Sequence, residues 1–497
     1  MKKELTVILI TIVIIAGCTP KQESPEAMLH FTGSPNEKNI RPVELVSADN
    51  SYHLFYRYEN PHDSSFIGHS TSTNLYHWKY PRQTLPFSPE KNAVTFFSSD
   101  TFSSTGSEQI IAAAINHNDL QNITFYSHSA NTKKWRQHSF SGELSTIPAT
   151  AKDIKIFYHP LEGWHLALLT GTEIWFYQTK DQKTWQHTGT TKQEDIGQEN
   201  TFSDIDIVAM TLENEPLQMW VLLLTASKGS PNQSAGTKYI AGDFSEGVFL
   251  PSCNDFGWID YGSDQQCAVA VTSRQKGGEL SLSLGALARH NVKSESLSLP
   301  RKISLYEEYN RIFLRSGMWH KTAMDYEKQQ QFAENKYSGF NPLSNSFSLP
   351  MEISIAFDTH NRKYLDYATA FGISFKNDKK VYRAGYHTDK RYFFIKEGTT
   401  DEEGNFRVTR ANYAPIIFTG SELEMQLYIH PNGTELFALN GKVSLSHQSK
   451  MHSSITNAGV FTEEGSITIN KAEFNKIKGI QQATANQTQK KEYYEKN

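Results

Sequence analysis

IGHSTSTNLYHWKY (residues 67–80), FYSHSANTKKWRQH (125–138) and FYQTKDQKTWQHT (176–188) are three versions of one unit. Each has a short strand, a polar turn, and a tryptophan that opens the next strand. The tryptophans, Trp78, Trp135 and Trp185, stand 57 and 50 residues apart, and KYIAGDFSEGVFLP (238–251) is a fourth, degenerate copy. A period of about fifty residues with about four strands per unit is the signature of propeller blades. A single blade is a small sheet that cannot bury both of its faces, so blades must stack around an axis. The tryptophans are expected to be packing anchors between blades, not ligand contacts.

Working outward, helical periodicity is nearly absent and period-two alternation dominates from residue 30 to 305. YEEYNRIFL then reads as a short connector, 306–317. From 318 to 478 a second series of alternating strands, such as MEISIAFD, RYFFIKE and GSITINKAEF, is divided by turns such as His430-Pro431-Asn432-Gly433 and Asn440-Gly441. That series predicts a β-sandwich. The fold class is therefore all-β: a five-bladed β-propeller over 29–305 followed by a C-terminal β-sandwich. The tail 479–497 lacks apolar spacing and is expected to be disordered.

At the start, Lys2 and Lys3 precede an apolar run over 5–16 that is too short for a comfortable permanent span. It ends at Ile15-Ala16-Gly17-Cys18, which resembles a bacterial lipobox. Residues 1–17 are thus expected to be a lipoprotein signal peptide, Cys18 the lipidated residue and 18–28 a polar tether. Localisation follows as the cell envelope, in a periplasmic or outer-membrane surface lipoprotein. The 480 residues after the signal exceed one small domain. With 49 basic and 53 acidic residues there is no basic block for nucleic acid. Twelve per cent aromatic residues suit an all-β protein or a carbohydrate binder. Cys253 and Cys267 could pair in an oxidising compartment or remain as two buried thiols, and both possibilities stay open. The eighteen histidines show no metal-ligand spacing, and no cofactor motif stands out.

SYHLFYRYENP (51–61) closely resembles the YHLFYQYNP strand of glycoside hydrolase family 32, which contains invertases, inulinases and levanases. The likeness continues in order. LHFTG (29–33) resembles the opening of the first blade, and FIGHSTSTNLYHW (66–78) resembles WGHA…DLVHW. DTFSSTGS (100–107) lies where FSGS belongs, and AKDIKIFYHPLEGWHLAL (151–168) resembles FRDPKVFW…GKWVMVL. SAGTKYIAGDFSEGVFLP (234–251), WIDYGSD (258–264) and LSLPRKISL (297–305) resemble G-T-QYFVGDF, WLDYG-D and MSLPREL. LEMQLYIHPNGTELFALNGK (423–442) is similar to IFVDRSSVEVFVNDG. Nine such stretches in order imply the family's propeller and sandwich.

The resemblance also implies the chemistry to look for. Family 32 enzymes are retaining β-fructosidases, so a nucleophilic carboxylate and an acid/base carboxylate must face each other across the scissile bond. The nucleophile is the Asp of WMNDPNG, and its counterpart lies in KNIRPVELV (38–46). Pro42 to Tyr52 is ten residues, the family's spacing from its Pro to its Tyr, which puts Arg41 at the nucleophile. A guanidinium cannot attack and stays charged at physiological pH. FSDIDIV (202–208) matches the WECPDLF-like acid/base strand, with Ser203 at the Glu and Asp206 at the later Asp. A serine hydroxyl has no matched pKa for general acid work. Asp204 is one residue along, and strand alternation aims it at the opposite face unless a bulge intervenes. Asp153 keeps the RDP aspartate, with Lys152 for its Arg, and a contact between Arg41 and Asp153 is expected.

Among sugar-contacting positions, Arg57 replaces Gln and Ile67 replaces Trp, while Lys38 and Asn39 replace the Trp and Met of WMND. Phe102 and Ser103 keep the FS pair ahead of Ser104, and Asp260 is expected to support the fold. The expected substrate-binding set is Asp153, Lys152, Phe102, Ser103 and Arg57, with no catalytic residue secure. The leading expectation is a non-hydrolytic surface lipoprotein that binds a fructan or another glycan. One alternative is an active glycosidase recruiting Glu44, Asp204 or Asp206, and another is a scaffold in an envelope complex.

Overall fold

The computed structural model describes residues 29–480 except 35, 63–64, 80–93, 105–106, 117–118, 130–133, 149, 193, 197–200, 276–277, 289–292, 320–323, 345, 361–365, 378–379 and 452–453. The expected signal segment, Cys18, the tether and most of the tail lie outside the described residues. Residues 479 and 480, expected in the tail, instead end the strand Asn457–Ile480.

Every regular element among the described residues is a β-strand. Five inner strands, Lys38–Ala48, Val94–Ser104, Asp153–His159, Phe202–Thr211 and Gln265–Gln275, belong to blades I to V. They lie against one another in a closed ring. Each blade continues outward as an antiparallel meander. Blades II and III merge into one eight-stranded sheet through the parallel pairs Glu143–Thr184 and Leu144–Trp185.

The ring is closed by five apolar seams, one per pair of neighbouring blades. Val46 and Phe55 meet Ile110 and Ala112 between I and II, and Phe125 meets Ile156 and Leu166 between II and III. Phe157 and Phe176 meet Ile205 and Leu222 between III and IV, and Val208 and Leu223 meet Ala270 between IV and V. Leu45 and Leu54 meet Val269 and Leu282 to finish the circle. Burying both sheet faces this way is what the repeated strand pattern requires. The tryptophans act as expected: Trp185 is fully buried in the II–III seam, while Trp78 and Trp135 pack against the V–I and I–II seams.

One expectation is corrected here, and one open alternative is decided. The connector 306–317 does not exist as such, because Arg301–Glu308 and Arg311–Met318 are paired strands of blade V. Tyr309 and Asn310, both at φ +56°, make the tight turn between them, and that double left-handed pair is a hairpin turn geometry. Cys267 is a buried free thiol, so no disulfide forms with Cys253, whose side chain lies outside the described residues.

The second domain is the sandwich. Its longest strand, Asn457–Ile480, pairs in succession with Ala370–Lys376, Asn335–Ser344, Met351–Asp358 and Met324–Phe332. A continuous core including Ile353, Phe371, Tyr382, Leu427, Val460 and Phe474 lies between the layers. The sandwich is fixed to the propeller by Arg301, which is fully buried and lies 2.8 Å from both Asp260 of the propeller and Glu435 of the sandwich. Asp260 also accepts from the Gly262 and Ser446 amides, so it supports the fold as expected.

Between blades I and II three histidines meet. His53 Nδ1 lies 3.0 Å from His69 Nε2, His69 stacks on Phe55 at 4.6 Å, and His128 stands edge-on to His53 beside Trp135. Burial pushes His53 down to about 4 and His69 down to about 3, and burial also lowers His128 against a raising influence from Asp49. An unfolded histidine titrates at about 6.5, so the unfolded chain binds more protons than the folded one as pH falls below that value. This contribution to stability is complete above about pH 6.5 and is lost progressively toward pH 4. Thermal melts from pH 7 to pH 4 are expected to show a falling Tm that is shallower in His69→Phe. Equal slopes for the two proteins would rule this origin out.

Candidate functional site

The inner strands bring polar groups to the axis in two tiers. In the lower tier Lys155 is buried, with Nζ 2.6 Å from Glu44 of blade I and 2.8 Å from Asp206 of blade IV. The Ser98 hydroxyl of blade II donates to the other Glu44 oxygen at 2.6 Å and accepts from the Ile156 amide at 2.8 Å. Asp206 accepts from the Ala270 amide of blade V at 2.7 Å, and Asp100 of blade II accepts from the Tyr158 amide at 2.8 Å. Every blade thus contributes a group to this tier. Burial pushes Glu44 up and Lys155 pulls it back, while the surrounding carboxylates hold Lys155 charged against the effect of burial.

The upper tier is the rim. Arg41 comes from blade I, Asp153 opens the inner strand of blade III, Asp204 comes from blade IV and Cys267 from blade V. Arg41 Nη2 donates to Cys267 Sγ and lies 3.5 Å from Asp204 Oδ2, with both charged side chains about one third exposed (38% and 36%). The thiol in turn lies 3.6 Å from Asp204, and burial, then the Asp204 charge, push it up to about 12. Cys267 itself is held at φ +53°, beside an irregularity in its strand pairing. Its place at the rim had no local signal in the sequence.

Asp204 is where the alternation argument fails. The pairing of Phe202 with Ala226 and Ile205 with Leu224 leaves two residues opposite one, so a bulge falls at Ser203–Asp204. Asp204 therefore faces the axis instead of pointing away. Exposed Ser203 supports it by donating its hydroxyl to Asp204 Oδ2.

Asp153 is present at the rim but is not the partner of Arg41. One of its oxygens accepts from the Ile205 amide at 3.0 Å, which ties blade III to the bulge of blade IV. The expected Arg41–Asp153 ion pair is replaced by Arg41–Asp204, because the bulge brings the second acid closer to the guanidinium. Burial, then the Asp204 charge, push Asp153 up to about 8, with Arg57 acting in the opposite direction. The rim therefore holds one carboxyl pushed toward its protonated form by burial beside one that is ion-paired to Arg41.

The remaining expected residues divide. Arg57 is the cross-strand neighbour of Arg41, so it adds a second positive charge to the same side of the rim. Lys152 is exposed and runs past Gly171, outside the Arg41–Asp204 cluster. Phe102 and Ser103 lie near the far end of their strand, and their side chains are outside the described residues. Ser98 is level with Ile156 and Asp100 with Tyr158, so residue 102 lies past His159 and away from Asp153. TFFSSDTFSS contains two Phe-Ser pairs, and the register puts Phe97–Ser98, not Phe102–Ser103, nearer the rim. Glu44 and Asp206, considered as displaced catalytic acids, are 1% and 2% exposed and engaged by Lys155.

Comparison with known proteins agrees with this architecture. Residues 30–315 match the family model for the glycosyl hydrolases family 32 N-terminal domain. A levanbiose-producing levanase from Bacillus subtilis (strain 168) is 23% identical over 264 residues, which is 50% of this chain and 50% of the levanase. The chain thus spans about half the length of that relative. The exo-inulinase of Aspergillus awamori superposes with a TM-score of 0.73 at 15% identity, covering 92% of this chain and 99% of that one. A fructofuranosidase from Schwanniomyces occidentalis complexed with fructose gives 0.70 at 17% identity, covering 90% and 97%. At these identities the superpositions establish the shared propeller and sandwich.

The lower tier yields a stability test. Lys155→Met leaves two buried carboxylates facing each other without a counter-charge and should cost about 3–5 kcal/mol. Adding Glu44→Gln and Asp206→Asn to the same protein should recover a large part of that loss. Urea unfolding of the single and triple variants measures both, and a loss of under about 1 kcal/mol in the single variant would contradict the role given to Lys155.

Proposed function

We propose, taking as premise that this chain belongs to glycosyl hydrolase family 32, that it is a glycan-binding member which does not hydrolyse its ligand and is held at the cell envelope by lipid on Cys18. The observation that carries this reading is Arg41. A retaining mechanism needs an anionic nucleophile facing a protonated acid. At the aligned position stands a guanidinium bonded to a thiol and paired with Asp204. That side chain has no electron pair to offer an anomeric carbon, and pairing with Asp204 engages the acid nearest to it.

Binding needs less than catalysis. Arg41 and Arg57 present donors in a planar fork, Asp153 and Asp204 present acceptors, and together they suit adjacent sugar hydroxyls. The relatives named above include a levanase, an inulinase and a fructofuranosidase with bound fructose. A β-fructan is accordingly the proposed ligand class. The lipid anchor rests on the Gly17-Cys18 sequence alone.

A second reading is favoured by one observation. Asp153 is pushed up to about 8 while Asp204 stands beside it in an ion pair. A pair of acids with separated protonation states is the arrangement from which glycosidases assign acid and nucleophile. In that case Asp204→Asn would abolish turnover.

Incubation of the purified protein with sucrose, inulin and levan, followed by measurement of released fructose, separates the two. Binding without release is expected, measured by retardation in inulin- or levan-containing gels. Sustained fructose release that disappears in Asp204→Asn would overturn the non-hydrolytic reading. Arg41→Asp combined with Ser203→Glu and Asp204→Asn, which exchanges the acid of blade IV together with the cation of blade I, is expected to gain measurable turnover. Metabolic labelling with a palmitate analogue, lost in Cys18→Ala, tests the anchor.

A further inference from the structure

We propose that His30, His430 and Glu435 form a site for a divalent transition cation of the zinc class, which clamps the propeller to the sandwich. His30 lies in the segment that leads into blade I. His430 ends the sandwich strand Glu422–His430, and Glu435 lies on Gly433–Ala438 just across the hairpin. One ligand atom from each of the three falls within 4.8 Å of the other two, and the residues are 3%, 1% and 1% exposed. The imidazole rings of His30 and His430 are 4.2 Å apart between centroids.

The hydrogen bonding around the two imidazoles is incomplete in a way that suits a cation, while Glu435 accepts from the Leu299 amide at 3.0 Å through Oε1 and from Arg301 through Oε2. His30 Nδ1 donates to the Leu297 carbonyl at 2.8 Å, which fixes the tautomer and leaves Nε2 as a bare lone pair. That Nε2 is buried without a hydrogen-bond partner, and so are both ring nitrogens of His430. Buried polar atoms are nearly always satisfied, so three unsatisfied nitrogens in one place call for an occupant.

Electrostatics point the same way. Arg301 is shared by Asp260 and Glu435, so one buried cation faces two buried carboxylates and a negative charge is left over. Two imidazoles and one carboxylate oxygen are a donor set that zinc and its neighbours take readily, with a fourth position for water. In the IFVDRSSVEVF motif that this hairpin resembles, the residue aligned with His430 is Asp. The second imidazole is therefore a departure of this chain. The site is independent of the rim and of whether the rim turns over a glycan.

The test uses the full chain, unfolded and refolded after chelator treatment because the cluster is closed to solvent. One equivalent of Zn2+ should bind, Co2+ in its place should give visible ligand-field absorption, and Zn2+ should raise Tm by several degrees. His430→Leu removes two unsatisfied nitrogens at little change in bulk, so its metal-free Tm should equal or exceed that of the parent. Its zinc affinity should fall at least about 100-fold, since losing a ligand costs more than losing an outer-shell partner. No stoichiometric binding by the refolded parent, or the same zinc and cobalt response in His430→Leu, would overturn the proposal.

Discussion

A propeller ring has no single core, and the place where all five blades meet is its axis. Here that place is organised by one ammonium group. Lys155 is held between Glu44 and Asp206, and the acceptors that flank it are fixed by a hydroxyl from blade II and an amide from blade V. A buried ion pair seldom adds net stability over an apolar replacement, because desolvation of both partners offsets the attraction. What it does impose is position. A carboxylate that must reach one cation and one amide tolerates little sliding of its strand, so the relative heights of the blades are set at this level. The rim residues sit two or three positions along the same strands, and their geometry is inherited from it.

Much of the fold was legible because blade stacking leaves a periodic trace. Trp78, Trp135 and Trp185 mark it, and the structure uses each of them in a seam between blades. The boundary of the propeller was not legible in the same way. YEEYNRIFL alternates only weakly and carries acids and an Arg, so it reads as a link, yet Tyr309 and Asn310 in the left-handed region turn it into a hairpin of blade V. Lys155 was also passed over. In Ile154-Lys155-Ile156 the lysine has the appearance of a solvent-facing residue in an alternating strand, and only closure of the ring shows that its side faces the axis.

The site was legible where spacing alone decides position, and illegible where backbone irregularity does. Ten residues from Pro42 to Tyr52 put Arg41 on the inner strand of blade I, where it stands at the rim across from Arg57. The bulge at Ser203–Asp204 inserts one residue, reverses the predicted facing of Asp204 and so changes the partner of Arg41. Phe102–Ser103 was a register error of another sort, since a strand with two Phe-Ser pairs fits the same motif at two heights. The His30–His430 pair had no local trace, because its members are 400 residues apart and meet only when the two domains close.

These placements explain why the departures at the rim come as a set. An unpaired Arg41 beside Arg57 would crowd two cations, and Asp204 facing Asp153 without Arg41 would crowd two acids. Together the four groups balance, and the bulge is what allows the balance. Restoring an aspartate at position 41 by itself would put three acids around one remaining guanidinium. Like charges at such range raise one another's pKa values, so the new carboxyl would tend to hold its proton and lose the nucleophilic character it was meant to supply. A rim of this kind is separated from a hydrolytic one by a barrier of charge, and a path back must change the acid on blade IV together with the cation on blade I.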